Sequence, residues 1–120
     1  MKRILFLFLV AGFLSNCTPK ADLGDFDTET WKSDVKGCSG ERAQMIDELQ
    51  EVKRNLLGLY QKTIIKALGQ PEEQELYKRS MNYYIYFIDP ATDCENGVEE
   101  PRYLEVRFTS LGIANEVNIK

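Results

Sequence analysis

The side chains best suited to chemistry in this chain are three cysteines, Cys17, Cys38 and Cys94, and the chain has no histidine. Without histidine it lacks the base of Ser-His-Asp and Cys-His catalysis and the imidazole ligand of His-coordinated zinc sites. Catalysis by paired carboxylates requires one raised pKa and therefore burial, whereas the carboxylates here lie in polar segments. We therefore expect a protein that is not an enzyme and that holds no cofactor and no metal.

Cys17 follows a segment typical of secretion signals. Lys2 and Arg3 precede an apolar run from Ile4 to Leu14 that is too short to span a bilayer comfortably. The sequence Leu14-Ser15-Asn16-Cys17 resembles a bacterial lipoprotein signal, in which the cysteine is diacylated and becomes the mature N-terminus. This predicts a signal peptide over residues 1–16 and a lipid anchor on Cys17. The alternatives are an uncleaved membrane anchor and a plain secretory signal.

The residue after the cysteine bears on localisation. Thr18 stands where an aspartate would favour retention in the inner membrane, so we expect an outer-membrane lipoprotein of the cell envelope with a periplasmic domain. Removing Lys2 and Arg3 from the 15 basic residues leaves 13 against 19 acidic ones, a formal charge of −6. A domain this acidic is poorly suited to nucleic acid, and its contact with the membrane is expected through the lipid.

The two remaining cysteines form an even pair. In an oxidising compartment Cys38 and Cys94 are expected to form a disulfide, which would contribute roughly 4 kcal/mol on the chain-entropy model. The alternative is two free thiols that never meet.

The chain beyond the signal divides into a tether and one small domain. Residues 17–30 comprise the acylated cysteine and a polar, acidic segment with Pro and Gly, and they predict a flexible tether that places the domain roughly 20 Å from the membrane. The domain is expected over residues 31–120. Trp31, at its start, is expected to pack against the helices rather than to bind a ligand.

Helical periodicity dominates the first half of this domain. Ser39 is expected to cap a helix that ends at Gly58, with one apolar stripe and with polar residues, Arg42 among them, on its other faces. The stripe is Met45, Leu49, Val52, Leu56 and Leu59. A shorter helix is expected over Gln61 to Leu68, ended by Gly69 and Pro71.

After Pro71 the spacing of apolar residues changes from the helical period to the period of two that is typical of strands. The expected strands are Glu73 to Arg79, Asn82 to Ile88, Arg102 to Thr109 and Ile113 to Ile119. Two helices packed on a three- to four-stranded antiparallel meander predict an α+β two-layer sandwich. The intervening acidic loop, Asp89 to Glu100, does not have the ligand spacing of an EF-hand and is expected to be solvated.

The stretch from Gly58 onward resembles the BamE (SmpA/OmlA) family of bacterial outer-membrane lipoproteins. The resemblance is carried by Gly58-Leu59, the segment Ile64-Ile65-Lys66-Ala67-Leu68-Gly69-Gln70-Pro71, the strand Tyr83-Tyr84-Ile85-Tyr86-Phe87, and Leu104-Glu105-Val106-Arg107-Phe108 before Gly112. It implies a non-catalytic accessory of the machinery that assembles outer-membrane β-barrels, with an envelope protein or assembly complex as partner. β-Lactamase-inhibitor proteins share a similar helix-helix-sheet unit, so an inhibitor or ligand-binding lipoprotein remains the alternative.

Tyrosine and arginine are expected on the helix-free face of the sheet. Tyr83, Ile85 and Phe87 form a wholly apolar set suited to the face under the helices, as do Leu104, Val106 and Phe108 in the next strand. The residues then predicted on the open face, and hence at the partner-binding site, are Tyr77, Arg79, Tyr84, Tyr86, Tyr103 and Arg107. The alternatives are that these tyrosines only stabilise the sheet, or that a register slip of one residue exchanges the two sets.

Overall fold

A computed structural model describes residues 20–77 and 81–120 of the chain. The described residues form an α+β fold in which helices precede an antiparallel sheet. The α-helices are α1 (Thr28–Ser33), α2 (Glu41–Gln44), α3 (Ile46–Val52) and α4 (Gln61–Leu68), and short 3₁₀ turns cover Val35–Gly37 and Lys53–Leu56. The strands are β1 (Glu73–Tyr77), β2 (Met81–Phe87), β3 (Tyr103–Phe108) and β4 (Ala114–Ile119).

The sheet is a simple meander in which each strand pairs with the next along the chain. Its order is β1-β2-β3-β4, and all three pairings are antiparallel. Tyr84 is paired with Val106 and Tyr86 with Leu104, so these four residues lie on one face of the sheet. The expectation of a three- to four-stranded antiparallel meander is confirmed, with four strands in the described residues.

The long helix expected from Ser39 to Gly58 is wrong as a single helix. The backbone leaves helical geometry at Met45 (φ −96°, ψ 9°) and passes from α-helix to a 3₁₀ turn after Val52, which divides the segment into α2, α3 and that turn. Ser39 is not the cap, because the Asp34 carboxylate accepts the N–H groups of Ser39 and Arg42 at 2.7 and 2.9 Å. The apolar stripe still points inward, with Leu49 and Leu56 buried.

The second predicted helix is confirmed as α4, with the bounds expected for it. Gly69 follows the helix with a positive φ of 87°, and its N–H bonds to the carbonyl of Ile65 at 2.7 Å. This is the glycine C-cap that the Leu-Gly-x-Pro sequence indicates.

The core lies between the helices and one face of the sheet. The helices contribute Leu49, Leu56, Ile64 and Leu68 together with the fully buried Trp31, and the sheet contributes Tyr84, Tyr86, Leu104, Val106, Phe108 and Val117. Trp31 packs against Phe26 and Tyr86, with ring centroids 5.8 and 6.5 Å apart, as expected of a packing residue.

The folded unit begins earlier than the sequence suggested. Leu23 and Phe26 belong to the buried core, and α1 begins at Thr28. A flexible tether reaching residue 30 is therefore wrong for its described part, because burying two large apolar side chains offsets the entropy lost when this short segment is ordered. Residues 1–16, Cys17 and the beginning of the tether lie outside the described residues.

Candidate functional site: the open face of the sheet

The facing predicted for β2 is wrong by one residue. Tyr84 and Tyr86 lie in the core under the helices, at 5% and 0% exposure, instead of on the open face. Tyr83 and Phe87, expected in the core, are the half-buried residues of the opposite face, and Ile85 lies between them. The register slip considered from the sequence is therefore the arrangement that the chain adopts.

Specific contacts explain why the tyrosines at positions 84 and 86 are buried. The Tyr86 hydroxyl donates a hydrogen bond of 2.9 Å to the carbonyl of Gly69 at the end of α4, which satisfies its polar atom inside the core. Tyr84 packs edge-on against Phe108, with centroids 4.6 Å apart. Burial raises the pKa of both hydroxyls, so both tyrosines stay neutral in the folded protein.

Across β3 the expected facing is confirmed. Leu104, Val106 and Phe108 are fully buried on the helix side, while Tyr103 and Arg107 are half-buried on the open side. The Arg107 guanidinium lies 5.2 Å from the centroid of the Tyr83 ring and 3.0 Å from the Glu116 carboxylate.

A groove of about 620 Å³ crosses one end of this open face. Its floor is apolar and aromatic, formed by Ile85, Phe87 and Tyr103. The remaining lining residues are Glu73, Glu75, Glu100, Pro101, Arg102 and Lys120. The acidic residues of β1 and the basic residues at the ends of β3 and β4 thus lie on opposite sides of the floor.

The charges around the groove are not equally compensated. Arg102 forms two hydrogen bonds of 2.7 and 2.8 Å with the Asp89 carboxylate, and Lys120 lies 3.1 Å from Glu105. Within residues 20–77 and 81–120, no basic side chain pairs with Glu73, Glu75 or Glu100. Among its described lining residues, the groove therefore combines an apolar floor with surplus negative charge.

The loop beside the groove is tied to the helical layer. The expected disulfide between Cys38 and Cys94 is confirmed, with Cα atoms 5.5 Å apart. Beside it, Lys36 and Asp93 form an ion pair of 2.7 Å, and the hydrogen bond from Lys36 holds the pKa of the Asp93 carboxyl below its usual value. Likewise the hydrogen bond from Arg102 lowers the pKa of Asp89. These contacts give the acidic loop a defined position at the end of the sheet.

A buried ion pair, missed from the sequence, joins the helices to the end of β2. Arg42 is 1% exposed instead of lying on a solvated face. Its Nη1 donates to Glu72 Oε1 and to the carbonyl of Phe87, and its Nε donates to the carbonyl of Trp31, each at 2.9 Å. Glu72 Oε1 also accepts the N–H of Phe87 at 2.9 Å. The pair thereby fixes the strand end that carries Phe87 into the groove.

The guanidinium of Arg42 also lies 4.5 Å from the centroid of the Trp31 ring. This cation–π contact gives the guanidinium an aromatic surface in place of water.

The predicted site residues therefore separate into three groups. Tyr103 and Arg107 lie on the open face as expected, and Tyr84 and Tyr86 do not. Tyr77 is the backbone partner of Met81 in the β1–β2 pairing, and Arg79 lies outside the described residues. Phe87 and Glu75, which line the groove, were not among the predicted site residues.

Two structural features are absent from the described part of the chain. No group of three or more His, Cys, Asp or Glu side chains is placed to hold a metal ion. None of the helices between residues 20 and 120 that the structure describes has the length and apolar character needed to cross a bilayer. In comparisons with known proteins, no family model, curated protein or solved structure matches the chain.

Proposed function

We propose that this chain is a non-catalytic lipoprotein of the bacterial cell envelope, anchored by acyl chains on Cys17, that works as a protein-interaction module in outer-membrane protein assembly. The proposal combines the lipoprotein-like signal with the BamE resemblance of the segment from Gly58 onward. The observation that carries it is the two-sided sheet: helices cover one face, and the other presents an aromatic groove.

The composition of the groove favours a protein partner. Phe87 and Tyr103 are cross-strand neighbours, half-buried within the domain, and they offer aromatic area of the kind enriched at interface hot spots. Desolvating that area on binding is favourable, at roughly 25 cal/mol per Å² of apolar surface. The rigid four-stranded sheet holds both side chains in place before the partner arrives, which lowers the entropic cost of binding.

Charge indicates the kind of segment that fits. Glu73, Glu75 and Glu100 are exposed and unpaired within the described residues, so a complementary segment would carry Lys or Arg beside its apolar side chains. Such a segment would neutralise the acidic side of the groove and cover its aromatic floor. The solvent-exposed position of these carboxylates makes them accessible to such a segment.

The experiment is an affinity purification of the full-length, tagged protein from mildly solubilised envelopes. The test variant is Phe87→Ser with Tyr103→Ser, and the matched control is Tyr60→Ser with Leu111→Ser, which removes two apolar side chains of 55% and 77% exposure away from the groove. Barrel-assembly subunits should copurify with the wild type and the control and be lost from the groove variant.

Cys17→Ala tests the contribution of the anchor, and all variants should unfold cooperatively. Equal recovery of the subunits with the groove variant would contradict the proposed surface. Absence of the subunits from the wild-type preparation, with stoichiometric binding of a hydrolase by the isolated domain, would replace the assembly role with the inhibitor alternative.

A further inference from the structure

The N-terminal segment is fastened to the helical layer almost from its first described residue. Leu23 is buried in the core, and Asn55 donates a hydrogen bond of 2.7 Å to the carbonyl of Asp22. Lys20, Ala21 and Leu23 line a shallow groove with residues of α1 and α4, which are Thr28, Thr63, Lys66 and Ala67. The chain therefore emerges beside α4, on the layer opposite the open face of the sheet.

This attachment shortens the linker between the folded domain and Cys17. Only Thr18 and Pro19 separate Cys17 from Lys20. Three residue steps span at most about 10–11 Å when fully extended. A lipid on Cys17, on which this inference rests together with the proposed function, would therefore hold the outer surface of α4 close to the lipid headgroups.

The surface brought to the membrane in this way carries more exposed basic than acidic side chains, although the chain as a whole is acidic. Lys62 and Lys66 are one turn apart on α4 and both are exposed, and Lys20 lies beside Lys66. Arg54, adjacent to Asn55, is also exposed. One exposed carboxylate, that of Asp22, lies in the same segment and accepts the N–H of Gly24 at 3.3 Å.

We infer that the anchored domain lies directly on the bilayer, with the basic outer surface of α4 and Lys20 against anionic headgroups. The open face of the sheet then points away from the membrane. The extended length of this linker is comparable with the Debye length of about 8 Å at physiological ionic strength. The attraction between the lysines and the lipid phosphates is therefore only partly screened. The arrangement assigns the two layers separate roles, the helices toward lipid and the sheet toward protein.

Energy transfer from a label on the domain to a headgroup acceptor tests this orientation. The full-length lipidated protein is reconstituted into vesicles of phosphatidylethanolamine and phosphatidylglycerol. Single labels are placed at Lys62→Cys on α4 or at Glu75→Cys on the open face. With Cys38 and Cys94 in their disulfide and Cys17 acylated, the introduced thiol is the only free one. The two positions lie on opposite layers, on the order of 20 Å apart given the diameter of a helix and the thickness of a sheet.

We expect greater transfer from the label at Lys62 than from the label at Glu75. Lys20→Gln with Lys66→Gln should remove this excess. The matched control, Thr92→Asp with Asn96→Asp, changes the net charge equally in the acidic loop and should retain it. Equal transfer from both positions, or greater transfer from Glu75, would overturn the orientation.

Mass spectrometry of the same preparation separates the two possible failures. Acyl chains on Cys17 together with equal transfer would overturn the orientation alone and leave the proposed function standing. A non-acylated Cys17 would overturn both the orientation and the membrane-anchored function.

Discussion

The buried ion pair between Arg42 and Glu72 makes the sharpest prediction about stability. Glu72→Gln preserves the size of the side chain and removes its negative charge, while the Arg42 guanidinium stays in place. The two side chains are only 2% and 6% exposed, so water cannot take the place of the carboxylate. The substitution therefore leaves a buried charge without its counter-ion.

The magnitude follows from the contacts that are weakened. Glu72 Oε1 accepts hydrogen bonds from Arg42 and from the N–H of Phe87, both at 2.9 Å. Removing one partner of such a buried pair costs roughly 3–5 kcal/mol of unfolding free energy. Because a domain of this size has only about 5–15 kcal/mol of stability, the loss is a large share of the total.

The assay is urea unfolding followed by the fluorescence of Trp31, the single and fully buried tryptophan. The control is Glu73→Gln, which removes the same charge from an exposed side chain one position along and should change stability by less than about 0.5 kcal/mol. If Glu72→Gln were as stable as this control, the assignment of Glu72 as the counter-ion of Arg42 would be refuted.

Three further predictions concern the loop and the turns around it. Cys38→Ser should lower the free energy of unfolding by roughly 4 kcal/mol under oxidising conditions, measured in urea, and a smaller loss than 1 kcal/mol would contradict the loop-closure argument. Gly37→Ala should lower the melting temperature more than Gly24→Ala: both residues have positive φ, but only at Gly37 would a Cβ meet the carbonyl oxygens of residues 88 and 89, at 2.9 Å. Arg102→Gln should destabilise the protein at pH 7 by up to about 1 kcal/mol, as expected for a partly exposed pair. Because Arg102 lowers the folded pKa of Asp89 from the ordinary 3.8, its contribution is present above that pH and is lost as the pH falls through the folded pKa. The difference in unfolding free energy between wild type and variant should therefore be present at pH 7 and disappear at about pH 2, and a difference that is the same at both pH values would refute this assignment.

The architecture could be predicted from the sequence wherever apolar residues are clearly separated from polar ones or a helix end is marked by Gly and Pro. In β3, apolar and polar residues alternate, so the inward set of Leu104, Val106 and Phe108 was found correctly. The helix at Gln61–Leu68 was also found, because Gly69 and Pro71 mark its end chemically.

Strand β2 has no such alternation of apolar and polar residues, and the predicted facing of its side chains is wrong. Tyr83 to Phe87 are apolar or aromatic at every position, so alternation alone cannot assign a face. The choice depends on long-range contacts, chiefly the hydrogen bond from Tyr86 to the end of α4 and the pairing of Tyr84 with Val106. The facing of β2 could be inferred from that of β3 only if the residue pairing between the two strands were known. The sequence pattern does not determine that pairing.

The burial of the Arg42–Glu72 ion pair could not be predicted from the sequence either. Arg42 falls in a segment rich in polar residues, and its partner Glu72 is 30 positions away, so no local pattern links them. Leu23 and Phe26 were assigned to a tether because isolated apolar residues in an acidic segment give no period. Leu23 is buried beside α4 and Phe26 against Trp31, and both contacts exist only in the assembled fold.

Photo-crosslinking from the groove in intact cells tests the central claim most directly. A photoreactive amino acid is placed at Tyr103 in the groove or, for comparison, at the exposed Tyr60 outside it. We predict that position 103 crosslinks to a subunit of the barrel-assembly machinery and that position 60 does not. Crosslinks of equal yield from both positions, or none from Tyr103 in a correctly lipidated protein, would contradict the proposal that the open face of the sheet binds the partner.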